Sequence, residues 1–408
     1  MKTLHLPFRG LVLLLGALGL CGAQSVARAD NKPSTAIVYV ESNRAENNSV
    51  LAFERTTQGD LRLLTEYPTG GKGIFDTSLA LGPFDSDQNI IVNPERSLLF
   101  AVNAGSNSIA VFHIDAEGSL QPVIGSPFPS GGINPVSLGL SKDVLVVVNK
   151  AMDPRQSAGN QPNYVTLPIS SDGVLGSPIS TVLAPVGSSP SQAAISPSMR
   201  LAIDAQFLGG ALQTFVVGGS GTLTPVESQS PSDAAYVGSS APHLPLGLAM
   251  HPKQPILYVG LVTIDRLAVY TYDGAGHISF QGSVADSGAA PCWVKVNCQG
   301  TRAYVSNTGD NSISVYDITS PLHPVEIQKL NLRGAGSAFQ IELDPQEDYL
   351  YVVTQRADAA TTLGKGNTLH ALKIKPNSGE LNETGSSPVE LKLPLGTRPQ
   401  GLATSQRR

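Results

Sequence analysis

Short runs of apolar residues, five or six long, recur along the whole chain and are separated by Gly, Pro, Asn and Asp. Runs of this length, rich in Val, Ile, Leu and Tyr and bounded by turn residues, are typical of β-strands. No long stretch carries the 3.6-residue spacing of an amphipathic helix. The pattern therefore predicts an all-β protein.

Seven of these runs have a common form, in which a proline or another turn residue opens a short apolar strand. Successive starts are separated by 46 to 61 residues, which is the length of a four-stranded propeller blade. A second strand follows each of the first six and often ends in Asn. The chain is therefore predicted to fold as a seven-bladed β-propeller whose inner strands are 87–92, 135–140, 190–195, 245–250, 291–296, 338–343 and 399–404.

The two ends of the chain predict how the ring closes. The first strand, Ile37-Val38-Tyr39-Val40, matches the second strand of the other blades and has no inner strand before it. The run 399–404 at the C-terminus supplies that missing strand. A blade built from both termini leaves no open sheet edge at the joint. The alternative of two β-sandwiches does not explain a period of about 50 residues.

The sequence of one predicted blade resembles the repeat of a known protein family. Tyr304-Val305-Ser306-Asn307, followed by Asn311-Ser312-Ile313-Ser314-Val315-Tyr316, resembles the Tyr-Val-Thr-Asn repeat of lactonase-type propellers. The whole of residues 34–404 is similar to the β-propeller lactonase family, which includes 6-phosphogluconolactonase and carboxymuconate cyclases. The resemblance implies hydrolysis of a lactone. Family enzymes carry an Arg-His pair after an inner-strand proline, whereas Pro245 is followed here by Leu246-Gly247, with His243 two residues upstream.

The N-terminus reads as a secretory signal peptide. Lys2 and Arg9 precede the apolar run 11–20, and small residues lead to Ala27-Arg28-Ala29. We expect residues 1–29 to be removed, residues 30–408 to form the propeller, and the protein to be secreted or periplasmic. The later chain has no apolar run long enough to span a membrane.

The net charge and the cysteines limit the partners and cofactors that we expect for this protein. Cleavage would change the net charge from −5 to −8, which argues against nucleic acid as a partner. Cys292 and Cys298 remain, six residues apart on what reads as one strand, which places them about 20 Å apart. We expect two buried thiols without a disulfide, no metal or other cofactor, and a monomer.

The longest insertions lie before the inner strands and after the second strands, at 70–87, 150–161, 230–244 and 355–367. In a propeller these connections share one face, so we expect the working site at that mouth of the channel. Polar residues that end second strands, stand third in inner strands or lie in these loops are the predicted ligand-binding set: Asn89, Asn103, Asn149, Gln192, Trp293, Asn307, Gln340 and Arg356. Each Asn could instead cap its own turn, and Trp293 could plug the channel.

Lactone hydrolysis requires a base that activates water and a donor for the oxyanion. His243 or Asp204 is the candidate base, and Arg155, Arg356 or Arg398 the candidate donor. The substrate would be a small-molecule lactone of a sugar or a related compound. The sequence leaves open a second class of function, a noncatalytic module of the cell envelope that binds carbohydrate or protein.

Overall fold

The computed structural model describes residues 35–74, 85–152, 160–231, 243–355, 366–394 and 397–407. All regular elements in these ranges are β-strands, arranged in seven antiparallel sheets. None of the described residues belongs to a helix that could cross a membrane. The predicted signal peptide lies outside these ranges.

Each sheet is one blade of a propeller, numbered here along the chain. Blade 1 consists of β1 (Ala36–Glu41), β2 (Ser49–Arg55), β3 (Leu61–Pro68) and β30 (Gln400–Gln406). Blade 2 consists of β4 (Ile90–Val92), β5 (Leu98–Asn103), β6 (Ser108–Ile114), β7 (Leu120–Pro122) and β8 (Phe128–Pro129). Blade 3 consists of β9 (Pro135–Ser141), β10 (Val144–Asn149), β11 (Asn163–Pro168) and β12 (Ser180–Leu183).

The remaining four blades follow the same order from the channel outward. Blade 4 consists of β13 (Ala194–Ile195), β14 (Leu201–Gln206), β15 (Ala211–Val217) and β16 (Leu223–Gln229). Blade 5 consists of β17 (Pro245–Met250), β18 (Ile256–Leu261), β19 (Arg266–Tyr272) and β20 (Ile278–Ala285). Blade 6 consists of β21 (Pro291–Val296), β22 (Arg302–Asn307), β23 (Ser312–Asp317) and β24 (Val325–Asn331). Blade 7 consists of β25 (Ser337–Leu343), β26 (Tyr349–Gln355), β27 (Thr368–Ile374), β28 (Leu381–Glu383) and β29 (Val389–Glu390).

The predicted closure of the ring is confirmed. The C-terminal strand β30 pairs antiparallel with β1, with Ile37 opposite Ser405 and Tyr39 opposite Ala403. It is the innermost strand of blade 1, so the tail of the chain completes the first blade. This pairing satisfies the backbone groups of β1 that would otherwise form an open edge.

Neighbouring blades are joined by a repeated tyrosine contact. A tyrosine on the second strand of one blade donates its hydroxyl hydrogen bond to a carbonyl between the third and fourth strands of the next blade. The contacts are Tyr39 to Gly118 (2.7 Å), Tyr258 to Pro321 (2.9 Å) and Tyr304 to Gly379 (3.2 Å). Each tyrosine ring is buried, so this hydrogen bond satisfies a hydroxyl group that would otherwise be buried without a partner.

Two predicted inner strands are shorter in the structure. In blade 4 only Ala194–Ile195 is strand. The backbone N–H groups of Ser191 and Gln192 donate to the carboxylate of Asp204 (2.9 and 3.0 Å) and not to the backbone of the neighbouring strand. In blade 2 only Ile90–Val92 is strand, and the preceding residues 85–89 leave the sheet.

Residues 85–89, called the channel segment below, pass among the inner strands. Gln340 of blade 7 donates to the Ser86 carbonyl (2.6 Å), and the Asp87 N–H donates to Ser191 of blade 4 (3.2 Å). The Leu138 N–H of blade 3 donates to the Gln88 carbonyl (3.0 Å). The backbone of the channel segment is therefore hydrogen-bonded to three other blades, 3, 4 and 7.

The sequence predicted that both cysteines are buried and that they form no disulfide, and the prediction of burial is wrong for Cys298. Cys292 is buried in β21, but Cys298 lies beyond the end of that strand and is exposed. The strand ends at Val296, and the residues after it form the turn into β22, where side chains face water. Neither thiol forms a disulfide.

A buried ion pair ties blade 1 to blade 7 at the joint. Arg55 at the end of β2 lies 3.0 Å from Asp344, with both side chains at most 2% exposed. Its guanidinium also stacks 4.3 Å above the Tyr349 ring and donates to the Tyr351 hydroxyl (3.0 Å). Both partners are desolvated, so the loss of one leaves the other uncompensated.

We predict that Arg55→Met lowers the free energy of unfolding by about 3–5 kcal/mol, because it leaves the Asp344 carboxylate buried without its cation. Urea denaturation followed by circular dichroism measures it. The control is Arg62→Met, which removes an ion pair with Glu54 whose arginine is 67% exposed, and should cost about 0–1 kcal/mol. Equal denaturation midpoints for the two variants would contradict the conclusion that the buried Arg55–Asp344 pair stabilises the fold.

Candidate active site at one mouth of the channel

The inner strands begin, and the second strands end, at the mouth called the loop-rich mouth below. The long insertions predicted there fall largely at 75–84, 153–159, 232–242 and 356–365, outside the described residues. Arg155 and Arg356, two of the predicted site residues, lie in these segments. The described residues nevertheless define the polar groups at the base of this mouth.

A buried lysine contacts the channel segment at this base, within electrostatic range of two aspartates. Lys150 directly follows β10, is 0% exposed, and donates from Nζ to the backbone carbonyl of Asp85 at the start of the channel segment. The carboxylates of Asp85 and Asp204 lie close enough to act electrostatically on the Lys150 ammonium. The chain thus brings together residues from blades 2, 3 and 4.

Burial shifts both titrating groups toward neutrality. Loss of solvent raises the pKa of Asp204 to about 6, although hydrogen bonds from Gln192, Tyr164 and Ser191 and the Lys150 charge act in the opposite direction. Loss of solvent lowers the pKa of Lys150 to about 8, against the effect of the two carboxylates. At neutral pH Asp204 is therefore mainly the carboxylate and Lys150 mainly the ammonium.

The Asp204 carboxylate is held in one orientation. Its Oδ1 accepts the N–H groups of Ser191 and Gln192, and its Oδ2 accepts the hydroxyl of Tyr164 (2.7 Å), which in turn accepts from Gln206 (3.2 Å). Tyr164 is buried on β11. These contacts fix the carboxylate and leave further lone pairs on its oxygens.

Sequence reasoning placed Asp204 at this mouth but missed Lys150 and Tyr164. The available signal for Lys150 was its position directly after Asn149, at a predicted second-strand end. Tyr164 carried no such signal, because a tyrosine in a third strand normally reads as core.

Of the polar residues predicted on the inner-strand wall, Gln192 and Gln340 contact the channel segment and Asn89 belongs to it. Asn89 donates to Gln400 (2.9 Å), and Gln340 approaches Asn89 (3.4 Å) in addition to its bond to Ser86. Gln192 donates to the side chain of Gln88 (2.9 Å). The structure therefore brings these predicted residues together around the segment, and their role in binding a ligand stays a prediction.

The three strand-end asparagines bond to neighbouring side chains instead of capping their own turns. Asn103 accepts from Thr69 (2.5 Å), Asn149 donates to Asn163 (2.9 Å) and Asn307 donates to Ser314 (2.9 Å). All three are fully buried. Asn149 and Asn307 hold strands of their own blades together at the loop-rich mouth, whereas Asn103 joins blade 2 to blade 1. Contact with a ligand remains a prediction for all three.

Trp293 and His243 are two further predicted site residues whose positions the structure describes. The Trp293 indole is fully buried and packs edge-on against Phe339 at 5.5 Å, so it fills the channel wall. His243 is half-buried just before β17, with its backbone carbonyl beside Gly210 of blade 4. Stacking of Trp293 on a ligand and a base role for His243 stay predictions.

The structure gives a physical reason for the missing Arg-His pair. A Cβ atom on Gly247 would lie 1.9 Å from the carbonyl oxygen of Cys292 and 2.6 Å from the Cα of Trp293. The ladder between β17 and β18 shifts register at this point, which brings the Gly247 backbone against β21. No side chain fits at residue 247 without moving β21.

Comparison with protein-family models identifies the family to which this chain belongs. The family model described as Lactonase, 7-bladed beta-propeller matches residues 157–396, which is more than half of the chain. No curated protein matches the sequence.

Comparison with solved structures supports the same fold. A candidate 6-phosphogluconolactonase of Bacteroides uniformis has a TM-score of 0.66 at 13% identity, over 90% of this chain and 100% of that one. A second candidate 6-phosphogluconolactonase, from Bacteroides fragilis, has a TM-score of 0.66 at 14% identity, over 92% and 99%. The periplasmic gluconolactonase of Pseudomonas aeruginosa has a TM-score of 0.64 at 14% identity, over 91% and 99%. At these identities the likeness concerns the fold alone.

Proposed function

Because the chain belongs to the lactonase family of seven-bladed β-propellers, we propose that it is an exported hydrolase of a sugar lactone or a related lactone, acting at the loop-rich mouth. The observation that carries the proposal is the buried Asp204 carboxylate at that mouth, which three hydrogen bonds hold in place and on which the Lys150 charge acts. Export rests on the signal-peptide pattern of residues 1–29. A periplasmic gluconolactonase with the same fold is consistent with that location.

The two charges suit the two requirements of lactone hydrolysis. Asp204, as the carboxylate, takes a proton from water while the water oxygen attacks the lactone carbonyl carbon. The Lys150 ammonium lies beside the oxygen on which negative charge develops. When the ring C–O bond breaks, the protonated Asp204 returns its proton to the leaving alkoxide, and the product is the open hydroxy acid.

Burial strengthens this arrangement. Asp204 and Lys150 are at most 1% exposed. A charge in such a water-poor site acts more strongly on a developing oxyanion than it would in water. The hydrogen bonds from Ser191, Gln192 and Tyr164 hold the base in place, so little reorganisation accompanies the reaction.

We predict base consumption when the purified protein is given a panel of sugar lactones at fixed pH. Asp204→Asn should lower kcat/KM by about 10²–10⁴-fold, because the amide cannot accept the proton from water. Asp286→Asn is the matched control: Asp286 is also buried and accepts a tyrosine hydroxyl (Tyr316, 2.8 Å) and a backbone N–H (Gly288, 2.8 Å). Equal losses in the two variants would show that Asp204 supports the fold and is not the base.

The second candidate is a noncatalytic envelope module that binds carbohydrate or protein. The observation that favours it is Leu246-Gly247, where the family's Arg-His pair is expected and no side chain fits at residue 247. It predicts saturable binding of sugars without turnover of any lactone in the panel. That result would overturn the hydrolase.

A further inference from the structure

The mouth opposite the loop-rich mouth contains cavities of its own. One of about 460 Å³ is lined by the ends of inner strands and by the turns that follow them. A second of about 310 Å³ shares Gln88, Leu140, Ile195, Lys295 and Val296 with it. The two form one hollow, called the opposite cup below, within the size range of small-molecule sites, about 300–1,000 Å³.

The wall of the opposite cup is aliphatic. Five half-exposed side chains, each on or directly after a different strand of blades 2 to 6, face it: Val92, Leu140, Ile195, Met250 and Val296. Half-exposed aliphatic side chains gathered around one hollow leave apolar surface in water. A ligand with an apolar body would cover it.

The floor of the opposite cup is polar and contains charges of both signs. Lys295 Nζ lies 3.0 Å from Glu342 and 3.8 Å from Asp87 of the channel segment. Asp87 Oδ2 is buried and accepts no hydrogen bond. Although burial acts in the opposite direction, the two carboxylates hold the pKa of Lys295 above its ordinary value.

This floor discriminates between ligand charges. The charged side chains that line the cup are already engaged: Lys295 pairs with Glu342, and Asp344 pairs with Arg55. Arg96 donates to the Thr404 carbonyl, and Glu347 accepts the Cys298 N–H. A charged group on the ligand would therefore be desolvated beside charges that already have partners. A hydroxyl group can accept from Lys295 and donate to Glu342 at once, with no charge to desolvate.

We propose that the opposite cup binds a neutral molecule with an apolar ring or branched chain and a hydroxyl group. Neither Asp204 nor Lys150 lines this cup. The proposal therefore stands apart from lactone hydrolysis, and either can fail without the other.

Cys298 offers a direct readout, because its exposed side chain lines the cup. Burial raises the pKa of the Cys292 thiol to about 12, which keeps it unreactive. The rate of iodoacetamide alkylation at Cys298 is measured by mass spectrometry of its peptide from the full chain. The probes are cyclohexylmethanol, cyclohexanecarboxylate and cyclohexylmethylammonium, which differ only in the polar group.

The alcohol is expected to slow alkylation of Cys298 in a saturable manner, at a concentration about tenfold or more below that of either charged probe. Val296→Trp fills the cup and should abolish the protection. Ile124→Trp, at a side chain 91% exposed and away from the cup, should leave it unchanged. Circular dichroism of each variant verifies folding.

Three results would overturn the proposal. They are no protection by the alcohol, equal protection by all three probes, and protection that survives in folded Val296→Trp. Tighter binding of the carboxylate or the ammonium probe than of the alcohol would also overturn it.

Discussion

Deleting residues 400–408 is expected to leave a chain that does not fold to a stable monomer. The deletion removes β30, the inner strand of blade 1, and exposes the backbone groups of β1 along the joint. It also removes Leu402 and Ala403, which pack in the cores beside the joint. A single lost core leucine costs about 2–5 kcal/mol, and most domains are stable by only about 5–15 kcal/mol in total. Size-exclusion chromatography and thermal unfolding measure the outcome.

A peptide of residues 399–408 provides the control for this deletion. Added to the truncated chain during refolding, it should restore a monomer-sized species with the thermal transition of the full chain, because it can pair with β1. A peptide with Leu402→Asp should fail, since the aspartate would be buried without a partner. A truncated chain as stable as the full chain would contradict the role of β30.

Replacing Lys150 by Met is expected to lower kcat/KM for a lactone by about 10²–10³-fold, the usual cost of removing an oxyanion donor. Met has a similar length and no charge, so the buried space stays filled. Met leaves the buried Asp204 carboxylate without the favourable charge of Lys150, so some stability is lost, and the rates are compared only for protein that circular dichroism shows to be folded. Initial rates of base consumption measure the effect, and urea denaturation reports on stability.

Lys329→Met is the matched control for Lys150. Lys329 also pairs with an aspartate, Asp310 (2.5 Å), but lies on the outer strand of blade 6. This variant should keep full activity. If Lys150→Met were as active as Lys329→Met, the ammonium would have no part in the reaction.

The propeller could be predicted because each blade repeats the same local pattern. The apolar runs, their turn residues and the spacing of 46 to 61 residues need no knowledge of distant contacts. The closure by the C-terminal strand followed because Ile37-Val38-Tyr39-Val40 had no inner strand before it.

The base of the loop-rich mouth could be predicted only in part. Asn89, Gln192 and Gln340 were placed on the channel wall by their position in the repeat. The channel segment was not, because Asn89-Ile90-Ile91-Val92 reads as an ordinary strand, and its partners in blades 3, 4 and 7 are far away in sequence. Lys150 became a candidate only when the fold placed its ammonium at the Asp85 carbonyl, where its charge acts on Asp204.

The dependence of kcat/KM on pH tests the account most directly. Activity requires Asp204 ionised, which is lost as the pH falls through about 6, and Lys150 protonated, which is lost as the pH rises through about 8. The account predicts a bell-shaped profile between these values, whose alkaline limb disappears in the residual activity of Lys150→Met while the acid limb remains. A profile that is flat across this range, or one whose alkaline limb is unchanged in that variant, would contradict it.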